Sequence, residues 1–275
     1  MASQPATLYG VSHSMYTGRA RSYLIKADIP YREQAPNTGH YMKTVLPKAG
    51  GRFSMPTLEL ADGSVIRDSG AISDYFEQDR GHTFSPVTPK QRVVSRLFDV
   101  IGAEGLMRPA MHYRWNFEAE NQEFIMSHMN MITPPGDAGL VGFECKDETY
   151  LDNDGIQDTL MDLLSTMAQD FVPETLAVAE VINNWIAEQD ELPSGTQCQR
   201  GVGFAEFDVS GTKISALAQP YRFYLLKRVQ DEYAALDTDD KAAVDAMLDA
   251  CSMTPVLGAT LTRELGLQNN LEVWL

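Results

Sequence analysis

Thr7-Leu-Tyr-Gly-Val-Ser-His-Ser-Met-Tyr-Thr-Gly-Arg-Ala-Arg-Ser-Tyr-Leu-Ile-Lys-Ala27 is the stretch on which the reading of this chain turns. Thr7 to Val11 form a short apolar run with β-branched and aromatic members between polar neighbours, which predicts a buried strand. Ser12 to Gly18 supply the turn. Ala20, Tyr23, Leu24 and Ala27 then recur at helical spacing and predict a helix through Ala27, which Asp28-Ile-Pro30 ends. Tyr31-Arg-Glu33 opens a second extended segment. Residues 36–54, rich in Gly, Pro and Lys, read as irregular, with a short helix near Tyr41–Leu46. Thr57-Leu-Glu-Leu60 and Ser64-Val-Ile-Arg67 flank Ala-Asp-Gly63, and Asp-Gly supplies the positive φ angles of a tight hairpin turn. Asp68-Ser69 precedes a helix over Gly70–Glu77, with Ile72, Tyr75 and Phe76 as its expected buried stripe. The order is strand, helix, strand, hairpin, helix, an α/β unit.

Working outward, Ser85-Pro-Val-Thr-Pro89 reads as a linker. Beyond it strand signals nearly vanish, and helical patterns run over 90–107, 118–131, 156–170, 174–189, 219–236 and 238–252, with a short one near 256–265. Pro109 should end or kink its helix. Residues 132–155 are Pro/Gly-rich and read as a loop that covers or borders something, while 198–209 fit no element by pattern. The expected division is one domain over 1–84 and an all-helical one over 90–275.

The composition sets limits on function. The chain has 275 residues, 44% of them hydrophobic, enough for two ordinary cores. No run approaches the roughly 18 uninterrupted apolar residues that span a bilayer. The start, Met-Ala-Ser-Gln-Pro-Ala, has neither the basic nor the apolar part of a signal peptide. Cys145, Cys198 and Cys251 are widely spaced with no Cys-x-x-Cys pair, which argues against a disulfide framework or a structural zinc site. A cytoplasmic location is the expectation. The formal net charge of −16 repels phosphate backbones and anionic lipid, so neither nucleic acid nor membrane is expected as a partner. Residues 1–60 nevertheless carry seven basic side chains (Arg19, Arg21, Lys26, Arg32, Lys43, Lys48, Arg52) against Asp28, Glu33 and Glu59. A site for a small anion would explain that excess, and so would chance.

Three motifs of this first domain, in order, resemble the cytosolic glutathione transferase superfamily. Ser14-Met15-Tyr16-Thr17 falls where thioredoxin-like members carry the reactive Ser or Cys. Met55-Pro56-Thr57-Leu58 is similar to the family's Val-Pro-x-Leu, whose proline is cis. Asp68-Ser69-Gly-Ala-Ile72 with Tyr75-Phe76-Glu77 is similar to its Glu/Asp-Ser-x-Ala-Ile followed by Tyr-x-Glu. The resemblance covers residues 7–80 well and the remainder in outline, and it implies a thioredoxin-like α/β domain followed by an all-α helical domain. It also implies glutathione as co-substrate, a hydrophobic second substrate and a homodimer.

Carried over residue by residue, the resemblance makes Ser14 the catalytic hydroxyl, which donates to the glutathione sulfur. Ser14 also reads as an N-cap, and Ser12, Tyr9 and Tyr16 stand close enough to be alternatives; His13 reads as a turn residue with no metal partner in sight. Met55 would bond the cysteinyl main chain of the tripeptide as an added strand would, with Pro56 holding that edge open. Ser69 would take the γ-glutamyl carboxylate and Asp68 its ammonium, although Asp68-Ser69 also reads as a plain helix cap. Arg52 or Lys48 would meet the glycine carboxylate, since Ser54 stands where the family usually has a basic residue. Tyr16, Met107, Met111, His112, Tyr113 and Trp115 form the expected substrate pocket, with ordinary core as the competing reading. Neither Ser14 nor Thr17 supplies a thiol, which disfavours thiol–disulfide exchange through an enzyme cysteine. A further departure is Thr212-Lys-Ile-Ser215, which lacks the Asp of the family's Ser/Thr-x-x-Asp helix start. The expected function is a glutathione transferase acting on a hydrophobic electrophile. The alternatives are a glutathione-dependent lyase, isomerase or reductive enzyme on a dedicated metabolite, and a non-catalytic binding protein of the same fold.

Overall fold

The computed structural model describes residues 5–51, 53, 55–130, 154–188 and 202–262. Its first sheet has the order β2-β1-β3-β4, built from Ala6–Tyr9 (β1), Tyr31–Gln34 (β2), Thr57–Glu59 (β3) and Val65–Arg67 (β4). β1 runs parallel to β2, with Leu8 opposite Glu33, and antiparallel to β3, with Leu8 opposite Leu58. Successive side chains of a strand point to opposite faces. Leu8 therefore joins Leu24, Leu58 and Ile72 in one core, while Tyr9 joins Tyr41 and Val45 on the other side. The first core is roofed by α1 (Met15–Lys26) and by α3 (Ser69–Asp79). The second is closed by a π-helical turn, Tyr41–Val45, running into the short α2 (Leu46–Lys48). Residues 57–67 make the hairpin that Asp62-Gly63 predicts, with Gly63 at φ 81°.

Tyr75 is a correction to the expected buried stripe: it is 46% exposed, whereas Ile72 is fully buried. The stripe is narrower because only one edge of this short helix meets the sheet. Gly10, just after β1, is a position where a side chain cannot be added. A Cβ there would stand 2.5 Å from Thr17 Oγ1, so the strand end and the first helix approach this closely only because position 10 is glycine.

The remaining elements are α4 (Pro89–Val100), a π-helical turn over Ile101–Gly105, α5 (Met107–Trp115), α6 (Glu118–Asn130), α7 (Asp154–Ala187), β5 (Phe204–Val209), β6 (Thr212–Leu217), α8 (Tyr221–Ala234) and α9 (Thr238–Ala250), ending in a 3-10 turn over Thr254–Leu257. Among the described residues, one compact unit holds 5–84 with 109–130, and the other holds 85–108, 154–188 and 202–262.

The expected fold class is met, with differences of detail in the second unit. The C-terminal region is mostly helical rather than all-helical, because β5 and β6 form an antiparallel hairpin over part of the segment that pattern left unplaced. Ser210 and Gly211 both have positive φ, 52° and 82°, the arrangement of the turn that matches strand twist in two-residue hairpins. Thr212 to Ser215 accordingly lie in a strand and start no helix. Helices expected over 156–170 and 174–189 are one continuous α7 with Pro173 inside it. A proline costs a helix one hydrogen bond and a local clash, and burial of Phe171, Val172, Thr175 and Val178 on either side offsets that. Pro109 is the third residue of α5, where its missing N–H was unbonded in any case. The expected loop over 132–155 lies outside the described residues up to Asp154. No described helix is long and apolar enough to cross a membrane, and the described residues hold no group of metal-ligating side chains.

Candidate functional site

Ser14 occupies the turn between β1 and α1. Its backbone is extended (φ −81°, ψ 119°), it is the N-cap of the helix, and its Oγ accepts from Thr17 N at 3.2 Å. Ser14 N donates to Val11 O at 3.1 Å, and Ser14 O accepts from Gly18 N at 2.9 Å. The carbonyl of the preceding His13 accepts from Arg114 Nη2 of α5 at 2.9 Å. Each polar atom of the Ser14 residue is thus bonded within the turn, and the hydroxyl hydrogen alone has no acceptor among the described residues. The side chain is half-buried, and the first turn of α1 contains no acidic residue to cancel the positive end of the helix.

Tyr9 has a different employment. Its hydroxyl donates to Glu59 Oε2 at 3.0 Å, and Glu59 is also held by His40 Nε2 at 2.9 and 3.0 Å. Burial first, then the Glu59 bond, pushes the Tyr9 phenol far above its ordinary range. That hydroxyl is committed to the second core, with the ring 4.9 Å from that of Tyr41. Ser12 is exposed on the turn.

The Met55–Pro56 peptide bond is cis. The β1–β3 ladder ends at the Tyr9–Thr57 pair, so Met55 lies beyond the last paired position with Pro56 buried beside it. Pro56 O accepts from Asp68 N at 3.1 Å, which ties this bend to the start of α3. Asp68 sits at φ 86°, and its Oδ1 accepts from Gly70 N at 2.8 Å and Ala71 N at 3.3 Å. Asp68 is therefore a helix cap. Ser69 beside it is fully buried, and its hydroxyl has no hydrogen-bond partner among the described residues.

Residues 8–84 match the family described as glutathione S-transferase, N-terminal domain. Two solved structures align at low identity. Glutaredoxin 2 from Salmonella typhimurium in complex with glutathione is 14% identical, with a TM-score of 0.29 over 93% of this chain and 98% of that one. A glutathione transferase from Phanerochaete chrysosporium is 12% identical, with a TM-score of 0.27 over 91% and 98%. No curated protein sequence matches the chain.

Within the matched stretch, Glu77 is 5% exposed and accepts from Tyr23 OH at 2.8 Å and from Phe84 N at 3.1 Å. It joins α1, α3 and Phe84. Arg21 clasps Glu33 of β2 with Nε at 2.7 Å and Nη2 at 2.5 Å. Lys48 Nζ donates to Gly63 O at 2.6 Å, an engagement that spacing does not show. Arg52 and Ser54 lie outside the described residues.

The residues expected to line the second-substrate pocket are only partly brought together. His112 and Tyr113 are exposed on α5, Tyr113 by 66%, and they cluster with Phe117, whose ring stacks on Tyr113 at 5.7 Å and 13°. Tyr16 is half-buried in the first turn of α1. The side chains of Met107, Met111 and Trp115 lie outside the described residues. Sequence reading missed Phe117 and Arg114. A phenylalanine two residues past a Trp carries no special signal, and an arginine bonded to a carbonyl about a hundred positions away carries none.

Proposed function

We propose that the chain binds glutathione along the Met55–Pro56 edge and the start of α3, and that Ser14 stabilises its thiolate for attack on a hydrophobic electrophile. The observation that carries this reading is the Ser14 hydroxyl. Its oxygen is fixed by Thr17 N, and its hydrogen is left to donate at the positive end of α1. A thiol near its ordinary pKa of about 8.5 is mostly protonated at neutral pH, and the thiolate is the nucleophile. Lowering that pKa by about two units needs about 2.7 kcal/mol of differential stabilisation. One hydrogen bond to a charged acceptor contributes about 1.5–3 kcal/mol, and a helix N-terminus adds about 0.3–1 kcal/mol. The two together are of the right size. The thiol proton leaves to solvent, the sulfur forms a bond to the electrophilic carbon, and the electron pair moves to the leaving group or the adjoining acceptor.

Met55 would present its main chain to the cysteinyl portion of the tripeptide, and the buried Ser69 hydroxyl would meet the γ-glutamyl carboxylate at a helix start. Asp68, whose Oδ1 accepts from Gly70 N and Ala71 N, would face the ammonium. Arg52 remains the proposed partner of the glycine carboxylate. Tyr16, His112, Tyr113, Met107, Met111 and Trp115 remain the proposed surface for the second substrate, in a cytoplasmic homodimer.

Calorimetry with glutathione on wild type and Ser14→Ala, with the bound thiol titrated by its ultraviolet absorbance, tests this. Wild-type binding with a lowered thiol pKa that Ser14→Ala restores to that of free glutathione is the expected result. Binding with an unshifted thiol would make the chain a glutathione-binding protein without thiolate activation, and no binding would remove the reading altogether.

A further inference from the structure

Resting on the thiolate reading above, we infer that Arg114 is a positioning residue for Ser14 and lends the thiolate site its positive charge. Arg114 lies on α5, far from the turn in sequence, and its Nη2 donates to His13 O at 2.9 Å. That carbonyl belongs to the peptide group that Ser14 N completes, so the guanidinium holds the peptide plane from which the Ser14 side chain springs. Ser14 N is tied to Val11 O, Ser14 O to Gly18 N and Ser14 Oγ to Thr17 N. The Arg114 bond is thus the outer brace of a turn whose inner bonds are all local.

The charge matters as much as the tether. Guanidinium is cationic throughout the working range of a protein. Among the described residues Arg114 meets no carboxylate, in contrast with Arg21, which is paired to Glu33, and Arg222, which is paired to Glu174. In a chain of net charge −16, a cation with no anionic partner among the described residues, held against the peptide of the candidate hydroxyl, is a local reversal of sign. An opposite charge within a few ångströms lowers an acid's pKa because it favours the charged form. The anchoring is itself supported: Asn121 Nδ2 of α6 donates to Tyr113 O at 2.6 Å and to Arg114 O at 3.4 Å, so the main chain that carries the arginine is held in place. Ser14 then provides the directed hydrogen bond, and Arg114 fixes its aim and adds the field.

The test is the pKa of the bound glutathione thiol, read by ultraviolet titration of the full-length protein, for wild type, Ser14→Ala, Arg114→Lys and Arg114→Gln. Thermal melting is measured alongside. Arg114→Gln keeps a donor for His13 O but loses the charge, and the bound thiol is expected to rise by about one unit. Arg114→Lys keeps both and should stay close to wild type. A wild-type thiol lowered on binding, raised by Ser14→Ala and unmoved by Arg114→Gln, overturns the role of Arg114 while the thiolate reading stands. A wild-type thiol that is not lowered overturns the thiolate reading itself. Should Arg114→Gln fail to fold, Asn121→Ala loosens the same arginine without removing it. A smaller rise in the same direction supports the inference, and an unchanged pKa ends it.

Discussion

Ser14 serves the fold with its oxygen and, in the proposed mechanism, the chemistry with its hydrogen, and the two can be separated by substitution. Losing the cap in Ser14→Ala should cost about 1 kcal/mol of stability together with the shift in the thiol pKa. Ser14→Asp restores a good cap but supplies an anion and no donor. Its melting temperature should match or exceed that of Ser14→Ala, while its bound thiol titrates above that of Ser14→Ala; a thiol as acidic as in wild type would rule Ser14 out as the donor. Ser69 offers the converse case. Its buried hydroxyl has no partner among the described residues, and a buried unmade hydrogen bond costs about 1–3 kcal/mol. Ser69→Ala should therefore leave the unfolding midpoint unchanged or raised and still weaken glutathione binding. A clear drop in midpoint would show that the hydroxyl serves the fold.

Tyr9 and Tyr23 show how elements are joined by phenols that resist ionisation. Tyr9 bridges β1 to Glu59 on β3, Tyr23 bridges α1 to Glu77 on α3, and in both burial is the first cause of an elevated pKa, with the carboxylate bond next. The sign follows from linkage: below the ordinary phenol value of 10.0 both states hold the proton and the bonds contribute fully. Above it the unfolded chain ionises while the folded one does not, so stability falls as pH rises. Denaturant midpoints measured at about pH 9 and about pH 11 should fall, and Tyr23→Phe should flatten the fall; a midpoint that rises over that range contradicts these bonds. At this scale the first domain is legible in its sequence, since Leu8, Leu24, Leu58 and Ile72 announce their elements by local period. The hairpin of β5 and β6 was readable too, in the alternation Phe204-Ala-Glu-Phe-Asp-Val209 and in Ser210-Gly211, but the surrounding helical patterns outweighed it. The helices expected apart over 156–170 and 174–189 join through Pro173 because a breaker is local and the packing that overrides it is not.

The second unit is held by a pairing that no window of sequence contains. Arg222 Nη2 of α8 meets Glu174 Oε1 of α7 at 2.8 Å, its Nη1 donates to Thr175 Oγ1 at 3.0 Å, and the guanidinium stands 5.2 Å from the Phe171 ring. Both charged residues are 4% exposed. Removing one member of such a buried pair strands the other charge, so Glu174→Ala should lose about 3–5 kcal/mol in denaturant unfolding. A loss below about 1 kcal/mol would mean that water reaches the arginine. The net charge of −16 acts over the whole chain without specifying any of this, since it sets solubility and the partners repelled and leaves the contacts open.

The amino-acid sequence by itself determined the order of elements in the first domain, its turn positions and the residues of the turn between β1 and α1. Period, glycine and proline act over a few residues, and the resemblance to a known family lies in short motifs. Tertiary structure alone decided which side chains are already spoken for: Tyr9 by Glu59, Lys48 by Gly63 O, Asp68 by the start of α3, and His13 O by Arg114. The physical reason is that a hydroxyl or a charge does not reveal its partner until the chain closes, and only then does the accounting of donors and acceptors bring out the Ser14, Thr17 and Ser69 hydroxyls.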